Sequence, residues 1–156
     1  MKSILRYPDD TDDIIKIICD HGVVVFTNGC FDLLHIGHIK VLNAAKKEGD
    51  ILIVGMNSDE SIHKLKGPDR PIINENDRAT ILINLKAVDC VIIYDSSSVY
   101  DLINFLNPDV LVKGGDYTLE NIVGHDIVMA YGGKVVIVPI EENRSTTTII
   151  KKITEE

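Results

Sequence analysis

The chain has 156 residues, 45% of them apolar, which gives room for one domain with a real core and too little for two ordinary ones. Its net charge of −8 argues against nucleic acid or an anionic membrane as the main partner, and leaves open a small anionic substrate gathered by local cations. No apolar run approaches the roughly 20 residues of a membrane-spanning helix, and the polar, acidic start lacks the apolar stretch of a signal peptide.

Thr11 is expected to cap a helix over Asp12–Asp20 that stops at Gly22, so residues 1–22 read as an N-terminal helical extension. Val23–Thr27 is a wholly apolar strand, followed by a helix over about Gly37–Lys47 that ends at Gly49. Ile51–Val54 is the next strand. His63–Pro71, with its cations and two prolines, reads as a loop. Asn74 caps a further helix, with Asp77 three residues on as partner. Val91–Tyr94 is a strand, Ser97 or Ser98 caps a helix to Leu106, and Val110–Val112 is a strand. Thr118–Tyr131 is predicted helical, closed by Gly132 and Gly133. Val135–Val138 is the last strand, and Ser145 or Thr146 opens a C-terminal helix.

Short apolar strands without period-two alternation are buried on both faces, so the sequence predicts a single-domain, doubly wound α/β fold with a parallel, Rossmann-like sheet. Ligands bind such sheets at the carboxyl ends of the strands. Four loops follow strands and should converge there: residues 28–35, 57–59, 113–117 and 139–147.

The stretch Thr27-Asn-Gly-Cys-Phe-Asp-Leu-Leu-His-Ile-Gly-His38 carries the most chemistry. His35 and His38, three residues apart at a helix start, can face one side, and Gly37 lets a phosphate approach the backbone. Imidazole donors and free helix N–H groups suit a phosphate chain. An ordinary helix with one exposed and one core histidine is the plain alternative, and zinc would need further ligands that the sequence does not offer. Arg144-Ser-Thr-Thr147 sets hydroxyls and a guanidinium at another helix start, either as an anion site or as a simple cap. Lys113-Gly-Gly-Asp-Tyr117 is either a tight turn or a seat for a flat base. Lys64, Lys66 and Arg70 suggest a lid over an anion, or else a solvated charged loop. Asp32 either orients a neighbouring donor or caps the following helix. Cys19, Cys30 and Cys90 form no C-x-x-C pair and read as reduced thiols in a cytoplasmic protein. No nucleophile constellation appears, which fits a reaction whose attacking group is an already ionised substrate phosphate.

The His-x-Gly-His stretch resembles the signature of the cytidylyltransferase-like nucleotidyltransferases, and Ser145-Thr-Thr147 resembles their second motif. Val54–Asp59, Lys66–Pro71, Asp77-Arg78 and Leu111–Tyr117 narrow the likeness to the adenylyltransferase domain of the bifunctional ADP-heptose synthases, over about Val23–Ile153. Residues 23–156 then form the nucleotidyltransferase domain. The resemblance implies that ATP, with Mg2+, and D-glycero-β-D-manno-heptose 1-phosphate give ADP-heptose and pyrophosphate. It implies a homodimer and a separate sugar kinase upstream, and no nucleic acid or membrane partner. It assigns transition-state stabilisation to His35, His38 and Lys66. It assigns nucleotide binding to Asn28, Gly29, Phe31, Gly37, Lys113, Gly114, Gly115, Asp116, Arg144, Ser145, Thr146 and Thr147. It assigns the acceptor to Asp32, Asn57, Asp59, Arg70 and Arg78, with no protein metal site. Glycerol-phosphate cytidylyltransferases carry an arginine several residues before their Ser-Thr-Thr element, where this chain has Glu141-Glu-Asn143. A cytidylyltransferase acting on a polyol phosphate, an FMN adenylyltransferase and a non-catalytic nucleotide-binding module remain the alternatives.

Overall fold

The computed structural model describes residues 2–95, 99–140 and 146–154. Its elements in chain order are β1 (Ser3–Arg6), α1 (Thr11–Cys19), β2 (Val24–Gly29), α2 (Ile36–Lys46), β3 (Ile51–Asn57) and α3 (Asp59–Lys66), then α4 (Glu75–Ile83), β4 (Cys90–Tyr94), α5 (Val99–Leu106), β5 (Val110–Gly114), α6 (His125–Ala130), β6 (Lys134–Val138) and α7 (Thr146–Thr154). The strands make one six-stranded sheet in the order β1-β4-β3-β2-β5-β6, with every pairing parallel. This is the doubly wound α/β fold that the sequence predicts.

The missing period-two alternation has its cause in the packing. Val25, Leu52, Val54 and Val91 point to one face, where Leu42 and Ala45 of α2 and Leu82 of α4 cover them. Val24, Phe26, Ile53 and Ile92 point to the other, under Ile14 of α1, Leu102 and Ile103 of α5 and Val128 of α6. Both faces are apolar because both are buried.

Four local expectations are corrected. Ser3–Arg6 is a strand that pairs with β4, so the first 22 residues hold more than a helix. The helix itself follows Asp10 rather than a side-chain cap from Thr11, and Asp10 accepts the Arg6 N–H at 2.7 Å. Within the stretch expected to be a loop, residues up to Lys66 belong to α3, capped by Ser58 and stopped at Gly67 with φ 96°. The long helix expected over Thr118–Tyr131 is broken: a 3-10 turn at Leu119–Asn121 is separated from α6 by Gly124 at φ 85°. Asn74 does cap α4, its side chain accepting from Asp77 N at 3.0 Å. The expected Ser97 or Ser98 cap lies outside the described residues.

The chain runs β2, β3, β4 outward on one side and then crosses to β5 and β6 on the other. The crevice between the ends of β2 and β5 is thus the topological switch point, where such sheets take their ligands.

Candidate active site

A cleft of about 570 Å³ opens at that switch point. The end of β2 and its loop supply Asn28, Gly29, Cys30, Phe31 and Asp32, α2 supplies His35 and His38, β5 and its loop supply Lys113 to Tyr117, and Lys66, Ile140 and Thr146 complete it. The loops after β2, β5 and β6 converge as expected. The loop after β3 does not: Asn57 and Asp59 stand behind the cleft wall.

The two imidazoles are set by the start of α2. His35 is the N-cap, and its Nδ1 accepts the Gly37 N–H at 3.1 Å. His38 Nδ1 accepts the His35 N–H at 3.3 Å, closing a reciprocal capping box. Each ring therefore keeps its δ nitrogen bare, and when neutral it carries its proton on Nε2. The ring centroids lie 3.9 Å apart, and Phe31 stacks on His38 at 5.3 Å. Burial lowers the pKa of both, that of His38 to about 4, with the charges of His35 and Lys66 adding to the effect. Near neutral pH the site thus presents two uncharged imidazoles as Nε2–H donors. Gly37 is required because His35 lies over it: an added Cβ would sit 2.8 Å from His35 Cε1.

Lys113 supplies a half-buried cation. Its Nζ donates to Asn28 O at 3.1 Å and Asn28 Oδ1 at 2.8 Å, and burial brings its pKa down to about 8. Gly115, at φ 125°, turns the chain away from β5 in a conformation that suits only glycine. Gly114 serves packing: an added Cβ would overlap Val41 of α2. Thr146 reaches back from α7 and donates its hydroxyl to Leu33 O at 3.1 Å, while Thr147 is exposed. Arg144 and Ser145 lie outside the described residues.

Asp32 neither caps α2 nor orients a histidine. Its buried carboxylate accepts from Arg70 Nε at 2.6 Å and from the Ile72 and Ile73 N–H groups. Burial works to raise its pKa, but the Ile73 and Ile72 N–H groups and Arg70 prevail and hold it below the ordinary value. Asp32 thus clasps the segment after α3 against the cleft. Arg70 is engaged in that clasp, Lys64 pairs with Glu60, and only Lys66 of the three cations lines the cleft.

Arg78 is corrected most sharply. It is 1% exposed and lines no part of the cleft. It donates to Ile73 O, Cys30 O and Asn57 O at 2.9, 2.6 and 2.9 Å, and pairs with Asp59 at 2.6 Å. It is a strut beneath the site, with Asn57 O and the Asp59 carboxylate among its anchors. Tyr117 and Val41 line the cleft without having been singled out from the sequence. The aromatic ring after Gly-Gly-Asp was the available signal for the first, and Val41, one more apolar residue of α2, had none.

A Cytidylyltransferase-like family model matches residues 26–153. The chain belongs to the cytidylyltransferase-like family. It is a nucleotidyltransferase. The chain is similar to "Bifunctional protein HldE" of Syntrophotalea carbinolica, 49% identical over 152 residues, covering 97% of this chain and 31% of the relative. It is similar to the protein of the same name from Hyphomonas neptunium, 60% identical over 127 residues, covering 81% and 26%. The chain thus spans a third or less of the length of these relatives. The crystal structure of the lipopolysaccharide core biosynthesis protein from Thermoplasma volcanium is also similar, at 30% identity and a TM-score of 0.60, over 76% of this chain and 96% of that one.

Proposed function

We infer that the chain transfers AMP from ATP to a sugar 1-phosphate, D-glycero-β-D-manno-heptose 1-phosphate, releasing pyrophosphate and ADP-heptose. The carrying observation is the pair of neutral imidazoles at the start of α2, flanked in one cleft by Lys66 and Lys113. A sugar phosphate oxygen forms the new bond to the α-phosphorus while the bond to the β-phosphate oxygen breaks, and pyrophosphate leaves with the electron pair. No protein nucleophile and no proton abstraction are needed. The Nε2–H groups of His35 and His38 donate to phosphate oxygens as charge builds up, and the lysine ammonium groups offset it. The Thr146 hydroxyl donates to Leu33 O, so towards a phosphate it offers lone pairs and the free N–H groups of α7 do the donating.

Among the described residues, no three His, Cys, Asp or Glu side chains gather to hold a metal ion. Mg2+ accompanying ATP would take its ligands from phosphates and water, and it supplies charge neutralisation on the triphosphate. No helix of the described residues is long and apolar enough to cross a membrane. A cytoplasmic setting, a homodimer and an upstream kinase that makes the sugar 1-phosphate belong to the same proposal.

The test is pyrophosphate release from a panel of nucleoside triphosphates with heptose 1-phosphate. ATP should give the highest kcat/KM, since a site that hydrogen-bonds one base edge leaves groups unpaired with another base. A higher value with CTP or GTP refutes adenylyl transfer.

A further inference from the structure

Lys113 can only donate hydrogen bonds, and this fixes the sense of a buried chain that starts from it. Asn28 Oδ1 accepts from Lys113, so the same carboxamide turns its Nδ2 to the Tyr94 hydroxyl, 2.9 Å away. Tyr94 accepts that bond and gives its own proton to Asn57 Oδ1 at 3.2 Å. Asn57 Nδ2 then donates to Ser61 Oγ at 2.8 Å, inside α3. Each carboxamide orientation is dictated by the neighbour before it. The chain joins the ends of β5, β2, β4 and β3 and finishes in the helix whose last turn carries Lys66.

Tyr94 is the bridge. It stands on β4, yet it reaches Asn28 on β2 across the intervening β3. Gly55 of β3 is the register partner of Asn28, and an added Cβ there would come within 3.2 Å of Asn28 Cβ. The ring is 1% exposed and lines no part of the cleft.

We propose that Tyr94 is a positioning residue for nucleotidyl transfer: its hydroxyl holds Asn28 in the one orientation that seats Lys113 in the cleft, and ties that lysine to α3. This rests on the function proposed above. The groups around Lys113 are the Cys30 thiol, the Tyr117 ring at 5.9 Å and the Asn28 oxygens, with His35, His38, Asp32, Lys66 and Asp116 lining the same cleft. Freed from Tyr94, the Asn28 carboxamide can turn its NH2 towards Lys113, and the ammonium form loses a pinned acceptor. The Lys113 pKa then falls further below its present value of about 8.

The test is Tyr94→Phe in the full chain, which removes one oxygen and keeps the ring. The variant leaves Asn28 Nδ2 and Asn57 Oδ1 without that partner, so it should stay folded at the assay temperature and melt only a few degrees below the parent. Its kcat for pyrophosphate release should fall on the order of tenfold or more with KM little changed, within the hundredfold that an ångström-scale misplacement can cost. The Nζ resonance of Lys113, assigned with Lys113→Arg and followed by NMR, should titrate at lower pH than in the parent. A folded variant with parental kcat and an unshifted titration overturns the proposal. If Tyr94→Phe unfolds at the assay temperature, Asn28→Ala breaks the same chain from the cleft side, and its NMR comparison uses Asn28→Ala/Tyr94→Phe as the second partner: additive effects overturn the coupling and a shared effect supports it. If the parent protein releases no pyrophosphate from any nucleotide, the transfer function fails. The Lys113 titration then decides the role of Tyr94 alone.

Discussion

Arg78→Met separates a strut from a substrate ligand. The methionine keeps most of the buried apolar stem, so the loss is chiefly polar. Three main-chain acceptors, Cys30 O, Asn57 O and Ile73 O, lose a charged donor. The buried Asn57 O left unpaired costs about 1–3 kcal/mol, and the half-buried Cys30 O and Ile73 O cost less each because water can reach them. Asp59 also loses its partner, but its side chain is 31% exposed and regains water, so its share is small. With part of the loss relieved by relaxation, the variant should be about 3–5 kcal/mol less stable, the usual range for breaking a buried ion pair. At roughly 2–4 °C per kcal/mol for a chain of this size, the melting temperature should fall by roughly 6–20 °C. Urea and thermal melts measure this directly. A loss under about 1 kcal/mol, with the KM for the sugar phosphate alone raised, would refute the assignment and return Arg78 to the ligand.

Other outcomes follow from the same geometry. His38→Ala should lower kcat by roughly a hundredfold or more, the scale of losing one transition-state donor, while the protein stays folded. Comparing the acid stability of the parent with that of His38→Asn tests the histidine pKa. The folded-state value of about 4 lies below the ordinary 6.5, so the unfolded chain takes up the proton first. The His38 contribution is complete above pH 6.5 and is lost as pH falls towards 4. A parent and variant with the same pH slope in that window would contradict the lowered value. Thr146→Val removes the tie to Leu33 O that holds the first turn of α7 at the cleft, so it should weaken ATP binding about fivefold, the equivalent of one hydrogen bond, and sugar phosphate binding less. Separate titrations of each ligand decide it, and an equal loss for both refutes it. Gly114→Ala should destabilise by about 1–3 kcal/mol through overpacking against Val41. Val41→Ala added to it should recover part of the melting temperature, and independent additive losses would mean that the two do not touch.

The fold was legible because burial writes itself into composition. Strands such as Ile51–Val54 and Val110–Val112 are apolar on every residue, and Gly or capping residues punctuate the helices between them. The imidazole pair was legible too, since both histidines, the glycine between them and the helix start are contiguous in the chain. What escaped was long-range. Nothing near Arg78 shows that Cys30 O and Asn57 O come to meet it, so its assignment to the acceptor rested on the family resemblance alone. Asp32 took a role that depends on Arg70, Ile72 and Ile73, about 40 positions away. Ser3–Arg6 is too short and mixed to announce a strand, and it becomes one only because β4 offers an edge. Gly124 inside an otherwise helical pattern carried the break in Thr118–Tyr131, but a single glycine is also tolerated within helices.

That first strand bears on how the protein is handled. The family match begins at residue 26, whereas the sheet begins at Ser3. A fragment trimmed to residues 26–153 would remove β1, α1 and part of β2, and would bare the outer edge of β4, whose residues Val91 and Ile92 are wholly buried. An unguarded, flat, apolar edge recruits strands from other molecules. Such a fragment would be expected to self-associate whatever its catalytic residues do, and a loss of activity in it would say nothing about the chemistry of the cleft.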